Sequence, residues 1–376
     1  MTDASLTAQW IDLLHCDDPR DVVHQTVASL AQGGVIGLAT ETVYTLAASA
    51  LHAEGLARVR RLGGTPDSQP LTLMVKGAQE CTDWVPGISQ VGRRLAWRLW
   101  PGPLTLVFPP ALTDGLFGRL PPKVRQVIAP AGGLALRSSA DPFLRDVLEL
   151  TPAPLVLGAV GFADRPPAIT ADPLRGLAGL DMVIDSGPTQ CGQLCTQVRI
   201  DEQRWTIERE GVIDSRTVTQ MSGLIILFIC TGNTCRSPMA EAICKLMLAR
   251  RLDCPAEQIE ERGYVVQSAG VAAASGSPAA SHAIDVLRAM GGSLESHRSR
   301  RVTLDLVRQA DCIFAMTADH LEALLDAVPE VQPHSHLLDP RGGDVPDPIG
   351  SDLHNYRQTA QMIEQMLEER LKQFGL

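Results

Sequence analysis

The chain predicts two α/β domains, the second built on a doubly wound parallel sheet. Three observations carry this. Its 376 residues exceed one average domain. Short apolar runs alternate with helical segments along most of the chain, which is the pattern of α/β folds. The stretch DSRTVTQMSG, residues 214–223, is polar and without apolar periodicity, and it reads as a linker. The expected division is a first domain over 1–215, a linker over 216–223 and a second domain over 224–376.

In the first domain, strand-like runs fall at 35–39, 71–75, 104–108, 134–136 and 155–157, with helical runs at 55–62 and 88–99. Proline and glycine punctuate the joins, as in PGP from Pro101. The second domain opens on LIILFI from Leu224, a continuous apolar run suited to a parallel strand buried on both faces. SPMAEAICKLMLARRL follows as a helix, with Ser237 as its expected cap, Pro238 in first position and Glu241 near the positive pole. Further helices are expected over 279–290, 304–310, 319–327 and 353–371, and strands over 265–266 and 312–316.

Hydrophobic residues make up 45% and charged residues 20%, as in soluble globular proteins. No apolar run has the length to span a bilayer, and the acidic N-terminus lacks the form of a secretory signal, so a cytoplasmic protein with no membrane partner is expected. A net charge of −10 argues against a nucleic-acid partner. The basic stretch HRSRRV from His297 reads either as a solvated surface or as a local basic patch. Nine scattered cysteines do not form the disulfide framework of a small secreted domain. Cys191 and Cys195 lie close together, but no second pair or histidine cluster accompanies them. They read as free thiols, and no metal is expected.

The chemistry concentrates in FICTGNTCRSPMAEAI, from Phe228. A strand, a turn of small polar residues and a helix make a phosphate cradle. Backbone N–H groups line the turn, and the helix adds positive potential. Arg236 supplies a planar fork for phosphate oxygens. Cys230 stands at the strand end, where the field that attracts phosphate also favours a thiolate nucleophile. An acid is then needed for the leaving group. Asp347, between prolines in DVPDPIG, is the candidate, although the same dipeptide also reads as an ordinary Asp-Pro turn.

These residues resemble the low-molecular-weight phosphotyrosine protein phosphatase family over the whole of 224–376. CTGNTCRSPMAEA matches the family signature, and SAG at Ser268, HRSR at His297 and DP at Asp347 follow in order. The resemblance implies Cys230 as nucleophile, Arg236 as phosphate ligand and Asp347 as general acid, then base. Thr231, Gly232, Asn233, Thr234, Cys235 and Ser237 complete the phosphate loop, which Asn233, Ser237, Ser268 and His297 hold in shape. It also implies a phosphorylated protein as substrate, no cofactor, and a redox partnership between Cys235 and Cys230 that competes with a purely structural role for Cys235. Tyrosine-directed members carry Ile or Leu where this chain has Thr234, and aromatic residues after the Asp-Pro. Here Ile349 and Gly350 follow. Thr234 and Gly350 resemble the branch that acts on protein phosphoarginine, while Ile349 departs from its usual Phe. Arsenate reduction, another activity of this fold, requires relay cysteines that Cys244, Cys254 and Cys312 are not placed to supply.

The first domain resembles the threonylcarbamoyl-AMP synthase family, a mixed, twisted α/β fold typified by YrdC, over 28–213. GGVIGLATETVYTL and LWPGPLTLVF carry the likeness. The departures weigh more. Gly63 and Thr65 stand in place of the family's Lys and Arg, Ala159, Val160 and Gly161 in place of its Ser-Ala-Asn, Cys195 in place of a Ser, and Thr45 in place of a Gly. Each lost charged contact to a nucleotide is worth roughly 1.5–3 kcal/mol. The expectation is a degenerate domain that binds a nucleotide or small ligand in the old cleft at Thr40, Thr42 and Tyr44, or docks a protein. A synthase still working on ATP and threonine, for tRNA modification, is the alternative.

Overall fold

The structure is a computed structural model that describes residues 8–109, 115–130, 133–160, 166–202 and 204–373. Gly161 lies outside the described residues. The chain forms two compact units, Met1–Ser222 and Gly223–Leu376. The stretch read as a linker is a helix, Ser215–Ser222, that belongs to the first unit. Asp214 accepts the Thr217 N–H at 2.7 Å in the manner of a helix cap, and Val218 is wholly buried in the core. One buried valine among polar neighbours gives no apolar period, which is why the sequence hides this helix. Among the described residues no helix is long and apolar enough to cross a membrane.

The first unit is built on one mixed sheet. Its strands are β1 (Gln9–Asp12), β2 (Ile36–Ala39), β3 (Tyr44–Ser49), β4 (Thr72–Met74), β5 (Leu104–Phe108), β6 (Leu134–Arg137), β7 (Leu155–Gly158), β8 (Met182–Asp185), β9 (Thr196–Asp201) and β10 (Arg204–Arg209). They lie in the order β1-β8-β2-β3-β7-β4-β6-β5-β9-β10. Parallel and antiparallel pairings alternate irregularly across it. β3 escapes the sequence reading because its turn from β2, TETV, holds no glycine or proline.

The second unit is a four-stranded parallel sheet with strands β11 (Leu224–Cys230), β12 (Tyr264–Gly270), β13 (Cys312–Ala315) and β14 (Ser335–Leu337), in the order β12-β11-β13-β14. β11 is central and buried on both faces, and its alternate side chains fill two separate cores. Ile226, Phe228 and Cys230 pack with the helices Arg236–Leu252, Ser281–Ala289 and Leu353–Gln373. Ile225, Leu227 and Ile229 pack with Leu304–Gln309 and Ala318–Ala327. That is the physical reason for an unbroken apolar run. The chain leaves β11 for β12 on one side and returns to β13 on the other. The C-terminal end of β11 is therefore the topological switch point where doubly wound sheets place their ligands, and Cys230 stands there.

Phe228 is fully buried, and its ring stacks on Phe314 at 5.7 Å. Phe228→Ala is expected to cost about 3–5 kcal/mol, whereas Ile349→Ala, at an exposed position, should stay within about 0.5 kcal/mol. Urea unfolding of the full chain, followed on the second unit, checks both.

Candidate active site

The turn after β11 is closed around a single sulfur. Cys230 Sγ accepts the Asn233 N–H at 3.2 Å and lies 2.9 Å from Ser237 Oγ. The helix begins two residues earlier than expected, at Arg236, with Cys235 at the capping position and no side-chain cap. Ser237 is thus not the cap. Its hydroxyl is taken by Cys230 and Asn233, and the helix end keeps its positive pole for an anion.

Asn233 organises the loop. Its backbone is left-handed, at φ 53°. Its amide nitrogen donates to Ser237 Oγ at 3.0 Å and Ser268 Oγ at 2.9 Å, and its amide oxygen accepts the Arg300 N–H at 2.9 Å. Its carbonyl accepts from His297 Nε2 at 2.8 Å, which fixes the tautomer of that ring. Four of the predicted residues, Asn233, Ser237, Ser268 and His297, therefore meet in one network. The sequence offers Glu241 only as a dipole-favouring residue. In the structure it accepts from Ser268 Oγ at 2.6 Å and pairs with Lys245 at 2.6 Å, closing the outer end of that network. Gly270 lets the loop approach β12, since a Cβ there would lie 2.5 Å from the Thr231 carbonyl oxygen and 2.9 Å from the Asn233 nitrogen.

The Arg236 guanidinium is nearly buried and donates to Asp347 Oδ2, to the Val345 carbonyl at 3.3 Å and to Thr231 Oγ1 at 3.4 Å. Asp347 keeps its side chain 40% exposed, and Oδ1 accepts the Ile349 N–H at 3.1 Å. The predicted phosphate ligand and the predicted acid are thus in direct contact. Thr234 is half-buried, with Oγ1 3.7 Å from Cys235 Sγ. Gly232 is half-exposed on the same turn.

Two functional neighbours escape the sequence. His320, buried, lies with Nε2 2.8 Å from Thr231 Oγ1 and Nδ1 2.7 Å from Thr317 Oγ1. Burial, then the Arg236 charge, hold its pKa below the ordinary histidine value, against the opposing pull of Asp319, Asp347 and Asp344. Tyr356 places its hydroxyl 3.1 Å from Cys235 Sγ, and burial, then that thiol, push its pKa up. Only Thr317 at a helix cap with His320 three residues on gave a local signal. Cys244 is buried, and burial pushes its thiol up to about 12.

In the first unit Thr40 and Thr42 meet, hydroxyl to hydroxyl, at 2.8 Å. Thr40 closes a tight turn by donating to the Val43 carbonyl at 2.8 Å, and Thr42 Oγ1 accepts from Arg137 Nη2 at 3.0 Å. Tyr44 joins neither. Its hydroxyl donates to the Gly187 carbonyl at 2.7 Å and accepts the Ser186 N–H at 3.0 Å, so it holds a turn. Arg137 pairs with Glu41 at 2.7 Å, both nearly inaccessible. A Cβ at Gly63 would lie 2.4 Å from the Ala159 carbonyl oxygen, so that backbone fits closely against its neighbour. Thr65 Oγ1 is buried without a partner.

The family model for low molecular weight phosphotyrosine protein phosphatase matches residues 225–375. A protein-arginine-phosphatase of Geobacillus stearothermophilus is 35% identical over 147 residues, covering 38% of this chain and 90% of that protein. The low molecular weight protein-tyrosine-phosphatase Etp of Escherichia coli K12 is 33% identical over 152 residues, 40% of this chain and 94% of the relative. The chain belongs to the low molecular weight phosphotyrosine protein phosphatase family, and it is a protein phosphatase. A second model, described as telomere recombination, matches residues 28–211. A threonylcarbamoyl-AMP synthase of Pyrococcus abyssi is 26% identical over 201 residues, 52% of this chain, which spans 56% of that relative.

The Thr231–His320 contact makes two expectations. Thr231→Val and His320→Leu should each lower kcat/KM by about tenfold, and the double variant little further, because residues that act as one unit are not additive. A double-mutant cycle on phosphate release checks this. His320 is held below its unfolded pKa of about 6.5, so its contribution to stability is full above that pH and lost as pH falls through it. His320→Gln should therefore lose less stability than wild type between about pH 7 and pH 5, read from urea midpoints.

Proposed function

We propose that this protein hydrolyses protein phosphoarginine through a phosphocysteine on Cys230. The observation that carries it is the sulfur of Cys230 held at the switch point by the Asn233 amide and the Ser237 hydroxyl, in the same turn as the near-buried Arg236. The phosphate would seat on the backbone amides of residues 231–235 and on Arg236, which leaves Asp347 free of its ion pair. The Cys230 thiolate attacks phosphorus, the bond from phosphorus to the leaving nitrogen or oxygen breaks, and Asp347 gives that atom its proton. Asp347 then takes a proton from water, the water oxygen attacks the phosphocysteine, the sulfur–phosphorus bond breaks, and phosphate leaves. Asn233, Ser237, Ser268 and His297 hold the loop throughout. Cys235, one turn away and already on Tyr356, serves as the reversible oxidation partner of Cys230.

Two positions favour arginine over tyrosine. Thr234 sets a hydroxyl where a packing side chain would grip a ring, and Gly350 fits the arginine branch after the Asp-Pro, although the exposed Ile349 departs from that branch's Phe. The most similar relatives include one named for phosphoarginine. Phosphate release from matched phosphoarginine and phosphotyrosine peptides tests the reading. Cys230→Ser should abolish both reactions. Asp347→Asn should slow them by about 10²–10⁴-fold. Thr234→Ile should shift preference toward phosphotyrosine, and an unchanged ratio would remove the role given to Thr234.

The first unit serves as a binding module rather than a synthase. The reading rests on Gly63 and Thr65 at the lost cation positions, with Arg137 already committed to Glu41. Pyrophosphate release from ATP with threonine and bicarbonate should be absent, and its presence would restore the synthase.

A further inference from the structure

The two cysteines of CGQLC, residues 191–195, both feel the charge of the buried Arg137, and neither function above uses them. Cys195, just before β9, is 7% exposed. Its Sγ accepts from Arg209 Nη2 at 3.3 Å and lies 3.3 Å from Thr105 Oγ1. Arg209 Nε also donates to the Cys195 carbonyl at 3.3 Å. The register of β10 on β9 shifts between Ile207 and Arg209, an irregularity that re-aims a side chain at a strand end. Arg137 spends Nη2 on Glu41 and Thr42, while its Nε, equally buried, has no hydrogen-bond partner. The Cys191 N–H donates to the Glu41 carbonyl at 2.8 Å, which ties the other cysteine to the residue that Arg137 holds.

The contrast with other buried cysteines is sharp. Burial pushes Cys81 and Cys244 up to about 12. Burial opposes ionisation of Cys195 as well, yet Arg137 and Arg209, with hydrogen bonds to Thr105 and Arg209, outweigh it and hold the thiol below its ordinary value. Cys191 moves the other way, raised by burial and then by Glu41 against the pull of Arg137. Arg137 thus acts on both sulfurs, and their net shifts run in opposite directions. This division of labour suits an attacked and a resolving cysteine.

We propose that Cys195 is a modification site for hydrogen peroxide, with Cys191 as its resolving thiol. The Cys195 thiolate attacks one peroxide oxygen, a sulfur–oxygen bond forms and the oxygen–oxygen bond breaks. The sulfur is oxidised to sulfenic acid, and the departing hydroxide takes a proton from solvent to become water. Cys191 sulfur then attacks Cys195 sulfur, the sulfur–oxygen bond breaks, the Cys191 proton leaves with the hydroxyl as water, and a disulfide remains. Peroxide is close to water in size, which fits a sulfur with so little exposed surface.

Peptide mapping of the full chain tests this, because the 191–195 sequence and the phosphatase cysteines fall on separate tryptic peptides. The protein is treated with hydrogen peroxide in the presence of dimedone, alkylated without reduction, digested and read by mass spectrometry. Wild type should give the 191–195 disulfide. Cys191→Ser should give a dimedone adduct on Cys195, and Cys195→Ser should leave Cys191 a free, alkylated thiol. Arg209→Gln should slow oxidation by about tenfold, the equivalent of one unit of thiol pKa, and Arg209→Lys should restore it. Oxidation of Cys191 in the Cys195→Ser chain would overturn the assignment. So would a Cys195 that stays reduced in folded wild type and in Cys191→Ser at doses that oxidise Cys230.

Discussion

The side chain of Asn233 is the constraint on which the catalytic unit depends. A residue with left-handed backbone carries its own strain, and here that strain turns an amide toward the Cys230 sulfur. The amide side chain, every donor and its acceptor used, binds the loop to Ser237, Ser268 and Arg300. Asparagine is among the few residues that combine tolerance of this conformation with both a donor pair and an acceptor. Asp would lose both amide donors to Ser237 and Ser268, and Gly would keep the turn but lose the links.

The fold supplies the rest of the arrangement. A central parallel strand buried on two faces gives a rigid base, and the reversal of strand order at its end opens the only kind of crevice such a sheet offers a ligand. Arg236 and Asp347 come from elements far apart in sequence and meet across that crevice. The first unit uses a buried charge pair differently. Glu41 and Arg137 occupy each other, both nearly inaccessible, so each satisfies the charge that burial leaves on the other.

How much of this the sequence showed follows from the range of each interaction. LIILFI and Cys-x5-Arg are local, and both the central strand and the nucleophile loop were legible. Asp347 was only half legible, since an Asp between prolines reads equally as an ordinary turn, and the resemblance gave it weight. His320 and Tyr356 were not legible, because their partners lie 89 and 121 residues away. Ser237 was misread because a helix-capping serine and a serine hydrogen-bonded to a thiol look alike in one dimension. The helix Ser215–Ser222 was misread because one buried valine leaves no period. Tyr44 matched the motif but holds a turn, since a motif records residue type and not direction.

The central claim is that Cys230 carries the phosphoryl group between substrate and water. The most direct measurement is rapid acid-quenched mass spectrometry of the wild-type protein mixed with phosphoarginine peptide, because the phosphoryl group must rest on Cys230 within each turnover. The account predicts one added phosphoryl group on the peptide that contains Cys230, absent from Cys230→Ser. Steady release of phosphate with no phosphoryl group on that peptide, at times from milliseconds to turnover, would contradict it.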